Sequence, residues 1–484
     1  MKKLIALLLL MSMLACALAS CGDTESSETH AETGPRREVE DGLPSDLNFG
    51  DRKVTVLSND EEGTWLKRDA ITNDVLNDAI YNREYKVNSR LGVNLNFILD
   101  ADAETKASDS VLTGLDEYQI LVETSGSMLT LASSGSLIDL KDDGLKYMDL
   151  DHKWYNQYLR EKATIYDKLY CITGSLSLLS TSKCAVTAFS PSVLEQLGIE
   201  ENMYDLVRSG KWTIGKELDM IKKAYSDTTG DGKTQDDAFG LCFDNSSALD
   251  YFWSAFDLSL ISRTEDGGLA FSEDTTKFVA ALDLVYSMMY ENNAINCFDQ
   301  DEYDQGGYGS YGPSIMSEKR ALFVMSNLSV CSYDVMRNMD GGYGIIPLPK
   351  WDEEQTDYYT CLRDGYTFFG IPKTNTDLAV TSAVIEALSS ESYASVATAY
   401  YDKILKGRYM NDIDSQQMLD IITNNINLDY ALVHGFALDH FSAEAFRSIL
   451  RAGKKNYSSF WRANKKKYTK ALSDMLDKYA SSED

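Results

Sequence analysis

Val54-Thr55-Val56-Leu57 is a short run of β-branched and aliphatic residues, which is typical of a buried strand. The segment that follows, residues 69–90, has apolar residues at the spacing of one helical face: Leu76, Ile80, Val87 and, just beyond it, Leu91. Gly92 ends that helix, and residues 93–97 then alternate apolar residues with asparagine, as a second strand would. A strand, a helix and a strand in this order predict two parallel strands joined by a crossover helix, and therefore an α/β sheet.

A third predicted strand, residues 118–122, ends in a loop of small and polar residues, Glu123-Thr124-Ser125-Gly126-Ser127. Loops at the carboxyl ends of parallel strands are where open α/β sheets bind ligands. Helix-like and strand-like segments continue to alternate along the chain, with further strands predicted at 239–243, 321–326 and 366–371. Residues 341–349, in which two isoleucines lie between glycines and prolines, are interpreted as a crossing from one lobe to another.

The first twenty residues have the pattern of an export leader. Two lysines precede an apolar run, residues 4–14, and the small residues that a signal peptidase needs follow it: Ala17, Ala19 and Ser20. The run is too short to remain as a membrane-spanning anchor. Cys21 comes directly after the small residues, as in the lipobox of bacterial lipoproteins. We therefore predict that Cys21 is acylated and becomes the new N-terminus, and the alternative is a plain secretory leader with an incidental cysteine.

The rest of the chain has an ordinary globular composition. Its 484 residues, 44% hydrophobic and 25% charged, are enough for a large core in two or three domains. Residues 22–45 contain almost no large apolar residue and are predicted to form a flexible tether. No second apolar run approaches the length that a membrane span requires.

The charge balance argues against nucleic acid as a partner. Without the first twenty residues, Lys+Arg falls from 46 to 44 against 75 Asp+Glu, a formal charge of −31, and such a surface repels phosphate backbones. The basic tail at 451–470 is the exception. Its charges alternate with aromatic residues at helical spacing (Tyr457, Phe460, Trp461 and Tyr468), which predicts the apolar face of a terminal helix rather than a nucleic-acid site.

Cysteines and histidines are too scattered to indicate catalysis or a zinc site. Six cysteines follow Cys21 without Cys-x-x-Cys spacing: Cys171, Cys184, Cys242, Cys297, Cys331 and Cys361. They permit fifteen disulfide pairings, and we predict no particular bridge. The four histidines lack His-x-x-x-His spacing, so the sequence offers few candidates for the ligands of a zinc hydrolase or for the histidine of a catalytic triad. We expect no enzyme activity, and a glycoside hydrolase with paired carboxylates is the enzymatic alternative.

Five motifs follow one another along the chain: Cys21, the Tyr-Asp-Lys-Leu-Tyr run at 166–170, Lys211-Trp212-Thr213, the Asp-x-x-Gly-Asp-Gly turn at 227–232, and Gly344-Ile-Ile-Pro347-Leu-Pro349-Lys350 with Tyr358-Tyr359 after it. In this order they resemble the family 1 extracellular solute-binding proteins, the substrate-capturing lipoproteins of bacterial sugar-type ABC importers. The likeness extends over essentially the whole chain, although no single motif decides it.

The resemblance implies a two-lobed periplasmic-binding-protein-like α/β fold of type II. Each lobe would be a mixed sheet flanked by helices, and the lobes would be hinged near 176–184 and 344–348 and close on a solute in the cleft. The expected ranges are a lipoprotein signal peptide at 1–20, a flexible tether at 21–45, a discontinuous N-terminal lobe at 46–180 plus 344–398, and a discontinuous C-terminal lobe at 181–343 plus 399–484.

The function that this resemblance implies is the capture of a soluble carbohydrate, most simply an oligosaccharide, and its delivery to an ABC permease with its ATPase. The protein would be a monomer on the extracellular side of the cytoplasmic membrane, would contact that membrane only through its lipid anchor and would require no cofactor. A surface glycan-binding lipoprotein without a transporter is the alternative.

A sugar has C–H faces and hydroxyl edges, so its site needs aromatic rings and hydrogen-bonding polar groups. Loop positions supply both, and the candidate ligand residues are Trp65, Ser125, Ser127, Asp250, Trp253, Tyr303, Tyr308, Tyr311, Arg363, Asp364 and Tyr366. For each of them the alternative is a packing aromatic residue or a solvated loop residue.

The acidic turn could hold a structural calcium ion. Its residues match positions 1, 3, 5 and 6 of a calcium loop with Asp227, Thr229, Asp231 and Gly232, and Lys233 would offer its carbonyl at position 7. Position 12, where a bidentate acid is expected, is Ala238, and Asp236 or Asp237 would have to substitute. A solvated acidic turn without metal is the alternative.

Overall fold

The computed structural model describes residues 36–59, 65–299, 310–363, 365–405 and 412–481. All of them lie in one compact unit that runs from Gly34 to the end of the chain. The leader, Cys21 and the candidate ligand residues Tyr303, Tyr308 and Asp364 lie outside the described residues, so the lipid anchor and these three ligand residues stay predictions.

The described strands are β1 Arg52–Ser58, β2 Val93–Leu99, β3 Ile120–Thr124, β4 Cys171–Ile172, β5 Ala185–Phe189, β6 Phe239–Asp244, β7 Ile261–Arg263, β8 Leu269–Phe271, β9 Ile295–Phe298, β10 Ala321–Asn327, β11 Gly344–Ile346 and β12 Thr367–Gly370.

The described α-helices are α1 Val75–Leu91, α2 Ala103–Leu112, α3 Ser125–Ser133, α4 Gln157–Ala163, α5 Leu178–Ser182, α6 Pro191–Gln196, α7 Met203–Arg208, α8 Ile214–Ile221, α9 Asp250–Ala255, α10 Thr276–Tyr290, α11 Tyr311–Ser317, α12 Asp334–Arg337, α13 Leu378–Glu391, α14 Ala397–Leu405, α15 Asp412–Asn424, α16 Tyr430–Val433, α17 Ile449–Arg451 and α18 Tyr457–Ser481. Short 3₁₀ segments lie at Ser247–Leu249 and Leu328–Ser332, and π-helical turns lie at Ser392–Val396 and Ala443–Ser448.

The first sheet has the strand order β2-β1-β3-β12-β4 and confirms the predicted parallel crossover unit. β1 pairs in parallel with β2 and β3, whereas β12 runs antiparallel to β3. The crossover helix α1 begins where the Asp74 side chain accepts a hydrogen bond from the Asn77 N–H. It ends at Gly92, whose left-handed φ of 57° closes the last turn without steric cost.

Alternation along the strands buries both faces of this sheet. Val54 and Val56 belong to one buried cluster that also contains residues of α1 and α13. Leu57 and Leu121 point to the other face and belong to a second cluster with residues of α2 and α3. A parallel sheet covered by helices on both faces is what the near-continuous apolar strands predict. We call this sheet with its flanking helices the first lobe.

The second sheet has the strand order β11-β5-β10-β6-β9 and is also mixed. β10 pairs antiparallel to β5 and parallel to β6, and β6 pairs in parallel with β9. The predicted α/β fold with two mixed sheets is thereby confirmed. We call this sheet with its helices and the β7–β8 hairpin the second lobe.

The predicted crossing at 341–349 is wrong in position. Gly344–Ile346 forms β11, which pairs antiparallel to β5 as an edge strand of the second sheet. Gly344 fits there because a Cβ at this position would lie 2.2 Å from a carbon of the Phe189 ring. The boundary expected at 344 and the hinge implied near 344–348 therefore fall inside the second lobe, and the chain returns to the first sheet only at β12. The other expected lobe boundaries stay predictions.

The predicted flexible tether is shorter than expected at its C-terminal end. Arg36 Nη1 lies 2.6 Å from Glu391 Oε1 of α13, and Arg90 Nη1 lies 2.5 Å from Asp41 Oδ2. Leu43 is buried in the cluster of α1 and α13. Residues 36–45 thus pack on the first lobe through ion pairs and through the apolar side chains of Val39 and Leu43, which a composition argument does not detect.

The predicted terminal helix is confirmed as α18, and its aromatic face is buried. Tyr457 packs edge-on against Phe278 of the second lobe, whereas Tyr479 packs against Tyr170 beside β4 of the first lobe. With 25 residues and about 1.5 Å of rise per residue, α18 is about 37 Å long and contacts both lobes. Among the described helices, none combines the length and the apolar character that a membrane span requires.

Candidate functional site

The polar ends of two strands and the start of a third meet at one edge of the first sheet. β1 leads into Asn59, and β3 ends at Thr124, whose side chain caps the first turn of α3. Because β12 runs antiparallel to β3, its first residues lie at this same edge. The Ser125 N–H donates to the Tyr366 carbonyl at 2.9 Å and joins the two segments.

The corresponding edge of the second sheet carries Asp244 at the end of β6. The Ser246 N–H donates to Asp244 Oδ1 at 2.9 Å and turns the chain away from the strand. Arg363, from the segment that leads to β12, donates from Nη2 to Ser246 Oγ at 3.4 Å, and its Nη1 lies 3.6 Å from Asp244 Oδ2. The guanidinium and the carboxylate are both largely buried, so their charges are weakly screened.

These two edges are held close to each other by one short piece of chain. Arg363 contacts the second sheet's edge and Tyr366 contacts the first sheet's edge, three residues further on. Three residues of extended chain span at most about 11 Å. We call the place where the edges meet the inter-sheet junction, defined by Asn59, Glu123, Ser125, Asp244, Ser246, Arg363 and Tyr366.

Glu123 is a buried carboxyl group of the inter-sheet junction, and only one of its two oxygens accepts hydrogen bonds among the described residues. Its side chain is 3% exposed, and its Oε2 accepts hydrogen bonds from Asn59 Nδ2 and the Thr124 N–H, both at 3.2 Å. Its Oε1 has no hydrogen-bond partner within the described part of the chain. Burial raises the pKa of this carboxyl, and the hydrogen bond from Asn59 only partly opposes the shift. A buried acceptor oxygen without a donor is suited to a ligand that brings a hydroxyl group.

Two aromatic side chains, Trp65 and Phe436, are candidates for contact with a sugar. Trp65, which follows β1, is half-buried and packs edge-on against Tyr400 of α14 at 6.2 Å between ring centroids. Phe436 is 65% exposed and covers the backbone of Gly126 in the first turn of α3. A Cβ at Gly126 would lie 2.6 Å from a ring carbon of Phe436, so the ring could not keep this close approach over any larger residue. An exposed ring of this kind offers a flat apolar surface to the C–H face of a sugar.

The structure brings three of the predicted ligand residues to the inter-sheet junction, and a fourth lies close by on α3. Arg363 and Tyr366 belong to it directly, and Ser125 contributes its backbone N–H. Ser127 lies half-buried in the same first turn of α3, where Thr124 Oγ1 accepts from its N–H. Trp65 follows β1 in sequence and contacts Tyr400.

Three predicted ligand residues serve other purposes in the structure. Trp253 is fully buried between Phe278 and Phe446, so its ring fills the core of the second lobe and has no surface for a ligand. Asp250, one turn earlier on α9, is buried as well, and its Oδ2 lies 3.2 Å from Arg447 Nε. The many aromatic residues of this segment form part of a packed core. In this structure the predicted ligand role is therefore wrong for both Trp253 and Asp250.

Tyr311 is the third of these residues. Its ring packs edge-on against Phe298, and its hydroxyl donates to Gln235 Oε1 of the acidic turn. It therefore joins the start of α11 to that turn instead of presenting its hydroxyl to a ligand.

The acidic turn uses its carboxylates to bind its own backbone. Asp227 Oδ1 and Oδ2 accept from the N–H groups of Gly230 and Gly232 at 2.6 and 3.0 Å, and Asp237 accepts from Thr228 and Thr234. Within the described ranges no group of three or more His, Cys, Asp or Glu side chains is placed to hold a metal ion. The calcium site over 227–237 stays a prediction.

Sequence reasoning missed Glu123, Asn59, Asp244 and Phe436 as site residues. Glu123 carried a readable signal, because it is a charged residue directly after the apolar stretch of β3 at the ligand-binding edge. Phe436 carried none, because it is about three hundred positions away in sequence from the glycine that it covers.

Solved structures share this architecture. The sugar-binding protein MalE from the phytopathogen Xanthomonas citri superposes with a TM-score of 0.60 at 11% sequence identity, over 89% of this chain and 99% of that one. A substrate-binding protein of an ABC transporter from Listeria monocytogenes, in complex with cycloalternan, gives a TM-score of 0.52 at 13% identity, over 89% of this chain and 98% of that one. A cyclo/maltodextrin-binding protein complexed with maltotetraose gives 0.54 at 10% identity, over 88% and 96%.

Neither a protein-family model nor a curated protein sequence matches the chain. In each of the three cases the structural likeness covers 88% or 89% of this chain. The chain therefore has the two-lobed α/β fold found in the sugar-binding proteins of ABC transporters.

Proposed function

We propose that this protein binds a soluble carbohydrate at the inter-sheet junction and releases it unchanged. The observation that carries the proposal is the buried Glu123 carboxylate, whose Oε1 has no donor among the described residues. A sugar hydroxyl would supply that donor, and the Arg363 guanidinium, which contacts Asp244 and Ser246 at the edge of the second sheet, is a second charged group of the inter-sheet junction. The exposed Phe436 ring beside α3 adds a stacking surface for a C–H face.

The fold's solved examples support an oligosaccharide as the ligand class. The Listeria protein is in complex with cycloalternan, and the cyclo/maltodextrin-binding protein is in complex with maltotetraose. These ligands are neutral polyols with many hydroxyl donors, which is the chemistry that an unsatisfied buried carboxylate recognises. We infer that this chain takes a ligand of the same class.

The binding test is calorimetry and thermal unfolding with a panel of linear and cyclic gluco-oligosaccharides, monosaccharides, short peptides and polyamines. A ligand present at 100 times its Kd stabilises the folded state by about 2.7 kcal/mol, which is readily measured. We expect a shift with at least one oligosaccharide and none with peptides or polyamines. A shift with a peptide and with no sugar would contradict the proposal.

Transport is the wider role that we propose for this binding. Cys21 would be acylated and hold the protein on the outer face of the cytoplasmic membrane, where closure of the lobes around the ligand would create the surface that an ABC permease with its ATPase recognises. Mass spectrometry of the mature protein tests the anchor, because acyl chains on Cys21 add a defined mass. Genes for a permease beside this one would support transport, whereas their absence would favour a surface glycan-binding lipoprotein.

We also propose that the protein has no enzyme activity. The solved proteins that share its fold are binding proteins. Glycoside hydrolysis needs two carboxyl groups about 5–10 Å apart across the scissile bond. Incubation with the best-bound oligosaccharide, followed by chromatography, is expected to return it intact, and shorter products would contradict this.

A further inference from the structure

The last long helix and the segment directly before it concentrate positive charge in a strongly acidic chain. Residues 451–473 contain eight basic side chains and no acidic one, whereas the whole chain has 46 Lys and Arg against 75 Asp and Glu. The eight are Arg451, Lys454, Lys455, Arg462, Lys465, Lys466, Lys467 and Lys470. The sequence already showed this tail, but the aromatic face of α18 accounts only for the side that packs on the protein.

The basic side chains lie on the side of α18 that faces away from the core. Tyr457, Tyr468 and Leu472 are buried, whereas the basic residues of the helix are exposed. Arg462 and Lys466 stand one helical turn apart on the exposed side. Like charges at this spacing repel each other and destabilise the helix, so the protein's own stability does not explain them.

Several of these charges have no carboxylate partner. Four of the eight form ion pairs: Arg451, Lys455, Lys467 and Lys470 pair with Asp299, Asp283, Asp439 and Asp474, respectively. Across the described residues, no ion pair involves Lys454, Arg462, Lys465 or Lys466. We call these four side chains the basic face.

A groove with both apolar and polar lining residues adjoins the basic face. It lies between the β7–β8 hairpin and α18, has a volume of about 830 Å³, and is lined by Phe271, Trp461, Leu472 and Leu476. Arg462 and Lys465 of the basic face also line the groove, as do two acidic residues, Glu273 and Asp477. The apolar part of the groove lies directly beside the cations of the basic face. An anionic amphiphile has a phosphate attached to a hydrocarbon chain, so its phosphate would match the cations and its chain would match the apolar surface.

We propose that the basic face and this groove dock the protein onto the anionic phospholipids of a bilayer. Basic side chains near such a surface each gain electrostatic energy from it, and the attraction falls off within a Debye length. At physiological ionic strength that length is about 8 Å, so the basic face acts locally although the rest of the chain is acidic. A nucleic acid would match the charges but not the groove. This contact is independent of the carbohydrate site and of the predicted anchor at Cys21.

The test measures binding of the chain without its leader, carrying Cys21→Ala, to sedimented vesicles of phosphatidylcholine with or without phosphatidylglycerol. The variant R462Q/K465Q/K466Q removes three charges of the basic face. The control variant K53Q/K146Q/K223Q removes three exposed lysine charges from other surfaces. Thermal unfolding of each variant confirms that it is folded.

We expect binding to phosphatidylglycerol vesicles that weakens with added salt, and no comparable binding to pure phosphatidylcholine. Each lost charge lowers vesicle affinity about fivefold, so the triple variant binds about 100-fold more weakly while the control variant binds like the parent. Equal weakening of the two variants, undiminished binding of R462Q/K465Q/K466Q, or absence of binding by the parent overturns the proposal. Tighter binding to duplex DNA than to the anionic vesicles at the same salt also overturns it, as does full competition by free glycerol phosphate.

Discussion

Replacing Glu123 by Gln separates what this carboxylate does for binding from what it does for stability. The amide has the same shape, and its oxygen can keep the hydrogen bonds from Asn59 Nδ2 and the Thr124 N–H. The change therefore affects mainly Oε1, the atom without a partner in the described part of the chain. The acceptor that we propose for the sugar hydroxyl becomes an –NH₂ donor, and the negative charge disappears.

The two expected effects have opposite signs. A hydrogen bond to a charged group contributes about 1.5–3 kcal/mol, so loss of the sugar hydroxyl's acceptor should raise the Kd by about 10- to 150-fold. Burial raises the pKa of Glu123 in the folded state, so ionisation of this group at neutral pH opposes folding. Its removal should therefore increase the free energy of unfolding at neutral pH by about 1 kcal/mol.

The matched control is Glu217→Gln. Glu217 on α8 of the second lobe is 2% exposed, and burial raises its pKa to about 8, but it lies outside the inter-sheet junction. The control should also stabilise the ligand-free protein at neutral pH while leaving the Kd unchanged. Calorimetry with the best oligosaccharide and urea unfolding of both variants measure the two quantities. If E123Q binds the sugar as tightly as the parent, Glu123 is a structural residue and the carbohydrate site lies elsewhere.

Three further predictions follow from the described contacts. Phe436→Ala should weaken oligosaccharide binding in calorimetry by about 2- to 12-fold, as expected for one lost stacking contact. It should leave the free energy of urea unfolding nearly unchanged, because the ring is 65% exposed. An unchanged Kd would contradict the stacking role. Burial lowers the pKa of His434 to about 4, so as the pH falls the histidine takes up a proton in the unfolded chain before it does so in the folded protein. This one residue should therefore lower the free energy of unfolding by about 2 kcal/mol between about pH 7 and pH 5. His434→Gln should remove that pH dependence in urea unfolding, and an unchanged dependence would refute the prediction. Burial raises the pKa of Asp429 to about 6, so as the pH falls this carboxyl is protonated in the folded protein first, and its protonation favours the folded state. Asp429→Asn removes that contribution and should make the acid-induced fall in the free energy of unfolding steeper. A shallower fall would contradict the prediction.

The sequence was most informative where one local rule governs the structure. Alternating and helical apolar spacing located β1, α1 and β2, and Gly92 marked the end of α1 because only a residue without a side chain adopts its left-handed conformation at no cost. The aromatic spacing of the tail likewise predicted α18. These features depend on periodicity within one element.

The sequence was least informative where a residue's role depends on a distant segment. Trp253 and Phe436 are both aromatic residues near the ends of short helices, yet one is fully buried and the other is mostly exposed. Only the packing of Phe278 and Phe446 around Trp253 makes the difference, and these partners come from other elements. The position of β11 was missed for the same reason, since strand pairing and not local composition assigns Gly344–Ile346 to the second sheet.

The contacts between the lobes bear on how a ligand could close them. The last carbonyls of a helix lack partners within it and carry partial negative charge. At the end of α4 in the first lobe, Arg263 Nη2 of β7 donates to the carbonyls of Glu161 and Thr164, both at 2.7 Å. His434, in a segment that packs on the same hairpin, lies 2.9 Å through Nε2 from the Lys162 carbonyl, so its ring must carry the proton on Nε2.

These three hydrogen bonds join the lobes away from the chain crossings, and α18 joins them again along its length. Three such bonds together contribute about 1.5–4.5 kcal/mol, which any separation of α4 from the hairpin has to overcome. A ligand that bridges Glu123 and Arg363 would favour the same arrangement of the two sheet edges. Opening must therefore either carry α4 with the second lobe or break its contacts with Arg263 and His434, and it cannot be a rotation about the crossing segments alone.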